Sequence, residues 1–124
     1  MRVILLLAFF GSLGTIARYG LEGWIHHRTG TAFPAGTLTV NLVGCLLLAA
    51  VGRYAFNHIA FPPELRSAIT IGFFGAFTTF STFSWETVRM LQDGEWMKAG
   101  LYVVASVAGG LLAAATGMRL GNAL

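Results

Sequence analysis

The chain has 124 residues, 56% of them hydrophobic and only 10% charged. A soluble domain is ordinarily about 25% charged, so eight Lys/Arg and five Asp/Glu are too few to face water, and lipid is the expected surrounding. The net charge of +3 would suit a nucleic-acid partner only if the cations clustered, but Arg2, Arg18, Arg28, Arg53, Arg66, Arg89, Lys98 and Arg119 are scattered at the ends of apolar runs and form no patch.

The first apolar run, Val3 to Tyr19, follows Arg2 as a leader peptide would. It continues without charge through Gly11, Ser12, Leu13, Gly14, Thr15 and Ile16, a length that suits a membrane span better than a cleaved signal. The polar stretch His26 to Gly30 reads as a loop.

The second run, Pro34 to Gly52, carries Thr37, Asn41 and Cys45 at four-residue intervals on one helical face. Asn41 is the most polar side chain in the middle of any run. Its amide serves equally well as an ion-facing donor or as a hydrogen bond holding two helices together. Cys45 is the only cysteine, which excludes an intramolecular disulfide and makes a small core residue the simplest role.

The loop Asn57 to Glu64 precedes the third run, Leu65 to Val88. Here Gly72 and Gly75 are followed by Thr78, Thr79, Ser81, Thr82 and Ser84, with Phe73, Phe74, Phe77, Phe80 and Phe83 interleaved. Glycine and side chains that compete for backbone hydrogen bonds predict a helix break near Gly75 to Thr79. The alternative is an unbroken helix whose hydroxyls bond back to its own carbonyls. A break would free carbonyls suited to a cation and N–H groups suited to an anion. Phe80 and Phe83 share a face, and their ring edges carry positive quadrupole; Phe77 extends that stripe by another turn.

After the turn Gln92 to Glu95, the fourth run, Trp96 to Met118, places Tyr102, Ser106 and Gly110 on one face. Beside it lies a seam of Ala105, Gly109, Ala113 and Gly117 suited to close helix packing. The expectation is thus an all-α membrane protein, one domain over residues 1–124, with four transmembrane helices of about 20 residues each and the third broken near its centre.

With four spans the two membrane faces receive four cations each: Arg2, Arg53, Arg66 and Arg119 against Arg18, Arg28, Arg89 and Lys98. This balance arises by chance in a short chain, or it marks dual topology with two copies associated antiparallel. No titratable group falls at the centre of a run, since Glu22 and Glu86 lie near predicted ends, and no catalytic or metal-ligand constellation of His, Cys and carboxylates is present. Neither a proton-coupled pump nor an enzyme is expected.

The segments GSLGTIARY (Gly11 to Tyr19), GTLTVNLVG (Gly36 to Gly44) and, above all, GFFGAFTTFSTFSWE (Gly72 to Glu86) resemble the Fluc/CrcB fluoride channels, and the likeness covers the whole hydropathy plan. The resemblance implies a passive fluoride-selective channel in the bacterial inner membrane, built as an antiparallel dual-topology homodimer and conferring fluoride resistance. It implies Phe80 and Phe83 as pore phenylalanines, Asn41 as an amide donor, and Ser81 and Thr82 as neighbouring hydroxyls. Tyr102, Ser106 and Thr37 would form a polar track, and Arg18 would stand in the electropositive approach. The carbonyls of Gly75 and Thr78 from both subunits would hold a structural Na+. Cys45 and Gly110, which offer no hydroxyl to that track, depart from the pattern. The competing classes are a small dual-topology multidrug-type proton-coupled transporter, which needs an embedded carboxylate, and a non-transporting assembly partner.

Overall fold

A computed structural model describes all residues 1–124, which form helices and connecting turns without any strand. The elements are α1 (Arg2–Thr29), α2 (Ala35–Asn57), α3 (Pro63–Ser67), a π-helical stretch (Ala68–Phe73), α4 (Phe74–Phe77), α5 (Phe80–Gln92) and α6 (Trp96–Ala123). Three of them, α1, α2 and α6, are long and apolar enough to cross a membrane. The expected third span is divided between two shorter helical pieces that meet at Thr78 and Thr79.

The ends of the helices follow local chemistry. α1 runs well past Tyr19, because nothing in the polar stretch His26 to Thr29 stops a helix. It ends only at Gly30, whose left-handed φ of 56° lets its N–H reach the His26 carbonyl at 3.0 Å. The expected first loop is therefore mostly helix. The helix restarts at Pro63, a first-turn position where a missing N–H costs nothing.

Two glycine contacts set the frame. α1 lies along the π-helical stretch, and a Cβ on Gly14 would collide with the Phe73 carbonyl, while one on Gly72 would come within 3.1 Å of the Leu7 carbonyl. Backbone meets backbone there because neither residue has a side chain. α2 and α6 run parallel in register. Thr37 and Tyr102 meet at one end through Glu86, Cys45 faces Gly110 in the middle, and Asn57 meets Asn122 at the other end. On α6 the buried glycines are Gly110, Gly117 and Gly121; the tight contacts with α2 fall at Gly109, Gly117 and Gly121, so the expected four-residue seam holds and runs one turn further, to Gly121.

Few side chains are buried; Tyr102 and Val40 are the largest that are fully enclosed. Ile4, Ile16, Leu111 and Leu112 are each more than 65% exposed, an apolar exterior that water would penalise at about 25 cal/mol per Å². The chain is a multi-pass membrane protein, and Thr37, Asn41, Glu86, Tyr102 and Ser106 gather between α2, α5 and α6.

Candidate functional site

The site is organised by the interruption at Thr78 and Thr79. Both residues are extended, with φ, ψ of −88°, 159° and −150°, 113°. Two backbone groups of Thr79 are thereby lost to the helix, and Asn41 on α2 replaces both partners: Thr79 N–H donates to Asn41 Oδ1 at 2.8 Å, and Asn41 Nδ2 donates to the Thr79 carbonyl at 3.0 Å. The amide thus imitates a strand neighbour. One Nδ2 hydrogen remains uncommitted, so the two readings of Asn41 are compatible, the structural bond using one face of the amide and leaving the other.

α5 is opened by the Thr79 side chain, whose Oγ1 accepts from Thr82 N–H at 3.2 Å and donates to Thr82 Oγ1 at 2.9 Å. Ser81 Oγ lies 3.4 Å from the same oxygen. These hydroxyls cap the new helix, whereas Thr78 and Ser84 bond back to the carbonyls of Phe74 and Phe80. Gly75 sits within α4, so the break is narrower than the expected Gly75 to Thr79 interval.

An unbroken helix would give the Gly75 carbonyl the N–H of Thr79, and the Thr78 carbonyl the N–H of Thr82. Those donors go instead to Asn41 Oδ1 and Thr79 Oγ1. Two hard oxygen acceptors close in sequence are left over, the donor chemistry that an alkali cation takes.

The break also separates the phenylalanines. Phe80 and Phe83 stay together on α5, ring centroids 5.6 Å apart, with Phe80 78% exposed and Phe83 5.1 Å from the Tyr102 ring. Phe77 does not continue their stripe. The extended pair Thr78–Thr79 destroys the three-residue register, and Phe77 turns inward, buried and stacked on Phe73 at 5.9 Å.

Phe80, Phe83, Asn41 and Ser106 line one cavity of about 400 Å³ between α2, α5 and α6, with Cys45 and Gly110 on its wall. The Ser106 hydroxyl is buried and makes no hydrogen bond. A second cavity of about 330 Å³ lies toward the start of α2, lined by Glu22, His26, Thr37 and Glu86 among others.

The feature that sequence reasoning missed stands in the wall of this second cavity. Glu86 Oε1 accepts from Thr37 Oγ1 at 2.9 Å and Oε2 accepts from Tyr102 O–H at 2.6 Å, so one carboxyl joins α2, α5 and α6. Glu86 lies three residues from Phe83 on the same helical face, and that spacing was the available signal. Arg18 is not brought to either cavity. Its Nε is buried without a partner, as is Glu22 Oε1 one turn later on α1.

A broken helix stapled by a part-buried amide, beside aromatic rings and the unpartnered hydroxyl of Ser106, defines a helical membrane protein with polar groups held at the depth of its apolar helices. The sequence profile described as CrcB-like protein, Camphor Resistance (CrcB), matches residues 5–118. The chain belongs to the CrcB family. It is similar to the fluoride-specific ion channel FluC of Geobacter metallireducens, 50% identical over 107 residues and 86% of each chain, and to that of Geobacter sulfurreducens, 49% identical over 108 residues and 87% of each. The FluC of Citrifermentans bemidjiense is 44% identical over all 124 residues of both chains.

Proposed function

We propose that this chain is the subunit of a passive, fluoride-selective channel that exports F− across a bacterial inner membrane and confers resistance to fluoride. The observation that carries the proposal is the Asn41-held break: it sets Phe80 and Phe83 beside Ser106 in one cavity and leaves the Gly75 and Thr78 carbonyls without their helical donors. The names of the relatives supply the ion.

In this reading α3 to α5 together make the fourth crossing. Two copies associate antiparallel, in keeping with four cations on each face and with a Phe80 that its own chain leaves largely uncovered. The Gly75 and Thr78 carbonyls of both copies would hold a sodium ion, which would pin the two breaks together and supply fixed positive charge beside the anion path.

A small, strongly hydrated anion crosses only if donors replace its water without trapping it. The uncommitted N–H of Asn41, the hydroxyls of Ser106, Ser81 and Thr82, and the ring edges of Phe80 and Phe83 are neutral donors that meet this demand. Thr37 and Tyr102 continue the route at Glu86, and Arg18 raises the potential on the approach. No group in the path needs to change its charge. Export follows the ion gradient and an inside-negative potential, at about 2.3 kcal/mol per charge per 100 mV.

A proton-coupled transporter requires an embedded carboxylate free to exchange protons with substrate. Glu86 and Glu22 are the only candidates; two hydroxyl donors already occupy Glu86, and Glu22 lines the outer cavity away from Phe80, Phe83 and Asn41. In proteoliposomes, Phe80→Ile and Asn41→Ala are expected to lower fluoride efflux at least ten-fold. Loss of transport in Glu86→Gln with both of those variants unimpaired would favour the transporter instead.

A further inference from the structure

A third cavity extends the route in the direction away from Glu86. Cys45, Leu48 and Ala114 line both it and the central cavity, so the two are adjacent, and the outer one reaches Arg53 and Phe56. Arg53 is twelve residues beyond Asn41 on α2, about 18 Å along the helix.

Arg53 is held in place. Its Nε donates to Asn122 Oδ1 at 2.6 Å, the same oxygen that accepts from Asn57 Nδ2 at 3.3 Å. Its stem lies against Gly121, where a Cβ would come within 2.9 Å of Arg53 Cβ, so α6 leaves room for it by having no side chain there. Asn122 takes only the Nε–H. The terminal NH2 groups make no hydrogen bond, and the chain's one ion pair is Lys98 with Glu95. The wall between Arg53 and the phenylalanines is mostly apolar, a low-dielectric lining that focuses the field of a single charge along the groove.

We infer that Arg53 forms the anion-collecting mouth at the end of the path opposite Thr37 and Glu86, binding small monovalent anions loosely before they reach Phe80 and Phe83. The inference rests on the channel reading. The position suits recruitment without trapping: the guanidinium stands at the mouth, several turns from the narrow part, where its attraction raises local concentration and not residence time.

The test is the initial rate of electrogenic fluoride efflux from zwitterionic phosphatidylcholine vesicles at about 0.01 M and about 1 M impermeant salt, where charge acts over about 30 Å and about 3 Å respectively. Arg53→Gln and Arg53→Met remove the charge while keeping a stem beside Gly121, and Arg53→Lys restores the charge. Both neutral variants are expected to run about five-fold slower than the parent at low salt and close to it at high salt, with Arg53→Lys near the parent at both. An equal loss at both salt concentrations, no loss in either neutral variant, or a loss in Arg53→Lys as large as theirs would overturn the assignment. Parent protein that released no fluoride at either concentration would overturn the channel reading, and this inference with it.

Discussion

Glu86 shows how much a single side chain depends on its partners. Its two oxygens take one hydroxyl donor each, from Thr37 and Tyr102, and a hydrogen bond typically contributes about 0.5–1.5 kcal/mol. Thr37, Ser106 and Tyr102 were legible as candidates because four-residue spacing puts Tyr102 and Ser106 on one face, and Thr37 with Asn41 on another. Glu86 was not, because its role exists only where three helices meet, and its position near the end of an apolar run resembled an ordinary flanking charge. Asn41 was legible as a buried polar group, but its partner, the backbone of Thr79, lies 38 positions away. If Glu86 binds Tyr102 as the geometry has it, Glu86→Gln and Tyr102→Phe are coupled. A double-mutant cycle of thermal stability in detergent is expected to give about 1–2 kcal/mol of interaction energy, whereas additive losses would show that the bond contributes nothing.

Among the elements, the interrupted helix was the most readable. Glycine, Thr and Ser in an apolar run announce a break, and Thr79 caps the second half as such residues do. The π-helical stretch Ala68–Phe73, which lies against α1 at Gly14 and Gly72, gave no such sign, and Phe77 was misplaced because the register does not survive two extended residues. Helix seams obey the same tertiary control. A Cβ on Gly117 would collide with the Leu46 carbonyl, but one on Gly100, in the same helix, meets nothing. Gly117→Ala is therefore expected to destabilise the protein by about 1–3 kcal/mol through overpacking, and Gly100→Ala to be neutral or to stabilise by about 0.5–1 kcal/mol through helix propensity. Melting both variants by circular dichroism in detergent checks the sign of each; matching shifts would mean that the α2–α6 contact is looser than described.

At the scale of the molecule, composition alone required a membrane protein, and the hydropathy plan located α1, α2 and α6 with errors confined to their ends. The polar stretch after Tyr19 misled because flanking charge is compatible with helix until a residue such as Gly30 ends it. Balanced charges on the two faces, the apolar exterior and the uncovered Phe80 all fit a subunit that needs a second copy to close its path. The central claim is that the route around the Asn41-held break conducts fluoride passively. It is tested most directly by reconstituting the purified protein in fluoride- or chloride-loaded vesicles with a potassium gradient and adding a potassium ionophore. The account predicts rapid fluoride release on that addition, no dependence on an imposed proton gradient, and negligible chloride release. Chloride release at a comparable rate, or fluoride release only when a proton gradient is supplied, would contradict it.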